Sequence, residues 1–182
     1  MGGRIMRASV YIATSLDGFI ARSNGDIDWL HGGSSDGGRE DYGYRAFMDT
    51  VDVLVMGRRT YERVLTFEGW PYGNKSVVVL SHGKVRIPEQ MAGTVEVMSC
   101  SPDELVGRLS ERGATHLYVD GGTTIQAFLA AGLVQELIIT RIPILLGRGI
   151  PLFGPLERDI ELLHIETRAY PSGLVQSKYQ VV

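Results

Sequence analysis

Short apolar, β-branched runs alternate with helical segments through the first two-thirds of this chain, and the remainder is all strand. That order constrains the fold more than any single motif. Arg7 to Thr14 (RASVYIAT), Val51 to Met56, Ser76 to Leu80 (SVVVL), Thr94 to Met98, His116 to Val119 and Val134 to Ile142 each predict a strand. Helices are expected over Glu40 to Thr50, Arg58 to Leu65 and Gly122 to Ala131, with a further one from Ser101 to near Gly113. For that last helix Ser101-Pro102-Asp103-Glu104 has the form of an N-cap, a first-turn proline and a capping-box glutamate. Ile160 to Ala169 and Leu174 to Val181 predict a closing antiparallel pair across Pro171-Ser172-Gly173. Alternation of this kind predicts an α/β sandwich: a mixed, mostly parallel sheet with helices on both faces. Neither repeat nor linker interrupts it, so one domain over 1–182 is expected.

Composition narrows the function classes. Lys plus Arg number 18 against 21 Asp plus Glu, so the basic surplus of a nucleic-acid binder is missing. Cys100 is the only cysteine, which excludes an internal disulfide and a four-cysteine zinc site. No apolar run reaches the roughly 18 residues of a membrane span. A cytoplasmic protein with no membrane or nucleic-acid partner is expected. Glycine is in excess, 23 of 182 residues, which suggests backbone pressed close to a ligand or turned tightly.

Two strand-to-helix junctions are candidates for that ligand. In the first, Gly57 follows a buried strand, and Arg58, Arg59 and Thr60 open a helix. Free amides and guanidiniums there favour a phosphate. The bland alternative is solvated arginines and a capping Thr60. In the second, Gly121 and Gly122 separate a strand from a helix that begins with Thr123 and Thr124. Two such junctions in one sheet could hold the two halves of a dinucleotide, although no G-x-G-x-x-G follows the first strand. Asp41 sits near a helix start, where an acid is a dipole partner or a cleft carboxylate. Asp17 suits a turn. Asp26, Asp28 and His31 match no metal-ligand spacing, and no metal is expected.

Taken in order, SVYIATSLDGFIA (Ser9 to Ala21), DIDWL (Asp26 to Leu30), DYGY (Asp41 to Tyr44), VMGRRTYERV (Val55 to Val64) and VDGGTTIQAFLAAGLVQELIITRIPILLGRGIPLF (Val119 to Phe153) resemble the dihydrofolate reductase superfamily, most closely its RibD C-terminal branch. The resemblance implies a three-layer sandwich with an eight-stranded sheet, and NADPH bound across the two junctions. Arg58, Arg59, Thr60 and Ser81 would meet adenosine-side phosphates. Gly57, Gly121, Gly122, Thr123 and Thr124 would line the cofactor cradle. Ala13 and Ile20 would flank the nicotinamide, and Leu16 to Trp29 would be the loop closing over it. Asp41 would bind a pyrimidine-like ring or help deliver a proton, supported by Thr140. Trp29 and Arg45 would complete the substrate side.

An arginine at 45, where dihydrofolate reductases carry an aromatic, argues against ordinary dihydrofolate reduction. Where the riboflavin-pathway reductase has Gly-Thr-Val and an acidic segment, this chain has GRRTYERV, and the zinc-dependent deaminase motif is missing from its 182 residues. The function implied is an NADPH-dependent reductase of a small heterocyclic or ribosylamino-pyrimidine-type substrate, as a homodimer. The alternative is a catalytically silent nucleotide-binding module on the same fold.

Overall fold

The computed structural model describes residues 6–33 and 40–182. In chain order the strands are β1 (Arg7–Ser15), β2 (Phe19–Ala21), β3 (Val53–Gly57), β4 (Ser76–Leu80), β5 (Val95–Met98), β6 (His116–Asp120), β7 (Glu136–Ile142), β8 (Ile150–Pro151), β9 (Leu162–Ala169) and β10 (Val175–Val181). The α-helices are α1 (Tyr44–Thr50), α2 (Arg58–Val64), α3 (Pro102–Glu111) and α4 (Gly122–Ala130), with 3-10 turns at Asp28–Gly33 and Glu89–Met91. Eight strands form one sheet in the order β5-β4-β3-β6-β1-β7-β10-β9, and β2 pairs with β8 in a separate ribbon. Every neighbouring pair from β5 to β7 is parallel, and β10 runs antiparallel to both β7 and β9.

Side-chain alternation along each strand assigns the two faces. Val53 and Val55 of β3, Val78 of β4, and Leu117 and Val119 of β6 pack with Leu105 and Leu109 of α3 and Ile125 and Phe128 of α4. Their neighbours Leu54, Met56, Val77, Val79 and Tyr118 point the other way, onto Phe47 of α1 and Tyr61 and Val64 of α2. A parallel sheet covered on both faces needs such near-continuous apolar strands, and these have them. The capping box of α3 is present: Ser101 Oγ accepts from the Glu104 amide, and Glu104 Oε2 accepts from the Ser101 amide.

The expected helix from Glu40 is shorter than its sequence signal. Tyr42 and Gly43 have φ of +55° and +85°, and the helix starts only at Tyr44. The segment expected as one long loop after β1 contains β2, whose pairing with β8 spans about 130 residues of chain and gives no local signal. Asp17 does form a turn there, and its carboxylate also accepts the amides of Leu146 and Gly147, clasping the two turns together.

Candidate functional site

β3 and β6 are adjacent and parallel, with Met56 opposite Asp120, so the two glycine junctions emerge side by side at the carboxyl ends of the strands. They interlock. A Cβ on Gly57 would lie 3.0 Å from Thr124 Oγ1, and one on Gly121 would overlap Thr60 Oγ1. Each junction therefore seats the other's threonine in the space that a side chain would need. Gly121 has φ of +88°, open to glycine at little cost. The first helical bond of α4 runs from the Ile125 amide to the Gly121 carbonyl, so the amides of Gly122, Thr123 and Thr124 precede the ladder and point outward at the helix start. Ile20 closes over this junction: a Cβ on Gly122 would lie 3.1 Å from its Cδ1.

Arg58 and Arg59 are exposed at the start of α2. Arg58 Nε pairs with Glu62 at 3.0 Å, and its Nη1 leans towards the turn at Gly83. Ser81 Oγ exchanges hydrogen bonds of 3.1 Å with the backbone of that same Gly83. Arg58 and Ser81 thus meet at the ends of β3 and β4, next to the junctions.

Beside this cradle lies a pocket of about 230 Å³ lined by Tyr11, Ala13, Leu30, Asp41, Tyr42, Tyr44, Thr140, Ile142 and Leu174. Ala13 and Thr140 face each other across β1 and β7. Asp41 reaches this pocket, but its carboxylate accepts the amides of Gly43 and Arg45, each at 3.0 Å. Those two bonds hold its pKa below the usual carboxylate range. Asp41 is therefore an ionised rim group that also caps α1. The expected support from Thr140 is not there: Thr140 Oγ1 accepts instead from the Gln176 amide at 3.0 Å. Arg45 is exposed, and only its backbone amide touches Asp41 among the described hydrogen bonds. Trp29 is buried against Ile142 and Leu174 behind the pocket wall, its indole N–H without a partner among the described residues. Asp26 and Asp28 pair with Arg63 and Arg22. The side chain of His31 lies outside the described residues. No cluster of metal-ligating side chains occurs among the described residues.

One residue passed over by the sequence reading stands out. Asp120 ends β6, directly before the Gly121 junction. Burial pushes its carboxyl up to about 6, and only the Gly121 amide, at 2.8 Å, opposes that shift. Burial and the Asp120 charge together raise the phenols of Tyr44, Tyr72 and Tyr118. The two carboxylates are thus driven in opposite directions, Asp41 towards its ionised form and Asp120 towards its protonated one. An Asp before a Gly-Gly pair was the available signal, but only the three-dimensional packing reveals its desolvation.

The family model of the RibD C-terminal domain matches residues 9–176. The Bacillus subtilis (strain 168) protein YwjB, described as uncharacterized, is 34% identical over 155 residues, covering 84% of this chain and 86% of YwjB. A crystal structure from Shewanella sp. PV-4, of a protein provisionally assigned to riboflavin biosynthesis, is 42% identical with a TM-score of 0.91. It covers 97% of this chain, which in turn covers 99% of it. A dihydrofolate reductase from Enterococcus faecalis solved with NADP(H) superposes with a TM-score of 0.65 at 16% identity, covering 97% and 96% of the two chains, and shows the common fold.

Proposed function

The chain belongs to the RibD C-terminal domain family, and on that premise we propose that it is an NADPH-dependent reductase of a small heterocyclic or ribosylamino-pyrimidine-type substrate. The observation that carries this reading is the interlocked pair of junctions, Gly57 against Thr124 and Gly121 against Thr60. Two adjacent strand ends, each opening a helix, offer two phosphate sites side by side at the crevice where dinucleotides bind in α/β sheets. The residues fit the cofactor. The outward amides of Gly122, Thr123 and Thr124 suit a pyrophosphate. Arg58, Arg59 and Ser81 suit a terminal phosphate. Bound there, NADPH would supply the hydride.

The chain's own residues do the rest. Ala13, in the pocket, and Ile20, over the Gly122 junction, would give the nicotinamide apolar contacts. Asp41 binds a donor edge of the substrate as a carboxylate. Asp120, its carboxyl raised to about 6 beside the Gly121 junction, is the group that would pass on the proton the reduced product needs.

Titration of the protein with NADPH, followed by nicotinamide fluorescence, tests the reading. Saturable binding is expected, and a folded sample that binds none at millimolar cofactor overturns it. The double variant Arg58→Ala/Arg59→Ala should weaken NADPH by about tenfold or more while NADH changes little, since each guanidinium–phosphate contact is worth about 1.5–3 kcal/mol before solvent screening. Equal losses would remove the assignment to the 2′-phosphate.

The chain is further proposed to act as a homodimer. Every residue of β9, the strand at the sheet's edge, is exposed, including Leu162, Leu163 and Ile165. An open edge carrying three apolar side chains invites pairing with a second copy. Light scattering that gives a mass near 20 kDa in place of 40 kDa refutes it.

A further inference from the structure

Gln176 lies on β10, in a strand that closes the fold and carries no motif. Its register places it beside Thr140, which in turn faces Ala13, so Ala13, Thr140 and Gln176 form one row across β1, β7 and β10 under the pocket. The Gln176 Nε2 group lies 3.0 Å from Tyr11 Oη, 3.1 Å from the Tyr42 carbonyl and 3.0 Å from Thr140 Oγ1. The valences settle its orientation. The Tyr42 carbonyl can only accept, so the amide nitrogen must face it. Tyr11 already donates its own proton to that carbonyl at 2.6 Å, so its oxygen is an acceptor towards Gln176. The amide's two protons are shared among these three oxygens, and because an amide nitrogen cannot accept, Thr140 Oγ1 can only accept from it, so its hydroxyl proton is left over. Among the described hydrogen bonds that proton has no acceptor. Thr140 lines the pocket beside Ala13 and Asp41, so the pocket is where a ligand could take it.

We propose that Gln176 is a positioning and specificity-determining residue: it holds the Thr140 hydroxyl as a hydrogen-bond donor into the pocket, so that the pocket selects ligands with an acceptor oxygen or nitrogen conjugated to the ring. The inference rests on the reductase reading for the site's use, and it deepens that reading. In a reducible C=O or C=N group, the heteroatom takes the electron pair when hydride reaches the carbon. A fixed donor at that atom stabilises the charge that develops. Tyr42 also suits this role. Its left-handed backbone holds its carbonyl on the Tyr11 and Gln176 donors, and its ring and hydroxyl reach Tyr170 and Ser172 in the turn that joins β9 to β10. The closing hairpin is thereby tied to the pocket floor.

Two probes of matched shape test this: acetophenone, with a conjugated carbonyl, and α-methylstyrene, with a methylene in its place. Binding is read by saturation-transfer NMR at the pocket, with and without NADPH. One neutral hydrogen bond is worth about 1 kcal/mol net, so the wild-type protein should prefer acetophenone about fivefold. Gln176→Met removes the donor that orients Thr140. Gln176→Glu turns it into an acceptor that captures the Thr140 proton. Both variants should bring the preference to within about twofold, with near-ultraviolet circular dichroism as the check on folding. If Gln176→Met does not fold, Gln176→Glu decides alone. No preference in the wild type, no binding of either probe, or a preference that persists in the folded variants overturns the inference. NADPH titrations of the same samples report separately on the reductase reading, because Gln176 lies away from both junctions.

Discussion

Replacing Gly121 with alanine probes the interlock directly. Two costs arise together. The residue has φ of +88° and ψ of 134°, a backbone region that a non-glycine residue occupies at a cost of about 1–3 kcal/mol. Its new Cβ would also overlap Thr60 Oγ1 and sit 3.3 Å from Thr60 Cβ, and relief requires that the two junctions move apart. Overpacking of this kind costs about 1–3 kcal/mol. The sum is about 4 kcal/mol, which for a chain of this length corresponds to a fall in Tm of roughly 8–16 °C. The steric part can be isolated. Thr60→Ala removes the overlapping oxygen, so Gly121→Ala should cost about 2 kcal/mol in that background, with the backbone part remaining. Urea unfolding of the four proteins of the cycle measures both parts, and NADPH binding should weaken in Gly121→Ala as the cradle opens. A cost below about 1 kcal/mol, or the same cost with and without Thr60→Ala, would refute the interlock.

Two pH dependences follow from the perturbed groups. The Asp120 carboxyl is pushed up to about 6, so the folded protein keeps a proton that the unfolded chain releases at its ordinary value near 4. Stability is therefore lost as pH rises between those values, and Asp120→Asn should gain on the wild type from pH 4 to pH 7 in urea unfolding. A gain that shrinks over that range contradicts the assignment. His116 runs the opposite way. Burial first, and the Arg7 charge second, hold its pKa below the usual value, although the Thr50 carbonyl, Glu136 and Asp52 favour its cation. It sits neutral between the Thr50 carbonyl and Ser9 Oγ, each at 2.9 Å. Stability should fall as pH drops through about 6.5, where the unfolded histidine takes up its proton, and Tm measured from pH 8 to 5 should flatten in that window in His116→Gln.

What was legible in the sequence, and what was not, follows the range of the contacts. The strands were legible because a sheet covered on both faces needs unbroken β-branched runs, and SVVVL or VDVLVM serve little else. The two glycine junctions were legible for a related reason. Each junction is a contiguous strand–glycine–helix segment, so Gly57 to Thr60 and Gly121 to Thr124 carry their own signal. The start of α1 was not legible, because Asp41 to Gly43 form a left-handed turn whose cap looks, in sequence, like the first turn of a helix. Asp120 stood in a quoted motif, yet its raised pKa comes from burial, which depends on how the other elements pack around the end of β6 and leaves no mark in the motif itself.

The pocket half is built across the chain instead. Gln176 meets Thr140 across 36 residues, Tyr42 across 134 and Tyr11 across 165. None of these pairings has a local pattern, and any polar residue on β10 would have satisfied the strand's periodicity. This has a consequence for how such a family can vary. The cradle's residues are coupled to one another by steric interlock, so a change at Gly57, Thr60, Gly121 or Thr124 is felt by its counterpart. The pocket's hydrogen-bond pattern hangs on one amide that no cradle residue touches. A substitution at position 176 can therefore redirect the Thr140 hydroxyl, and with it the acceptor the pocket selects, while the two junctions stay as they are. The pocket can thus change its hydrogen-bond pattern while the junctions stay constant, and at Thr140 it does differ from expectation, since the expected partner of Asp41 is bound to Gln176 instead.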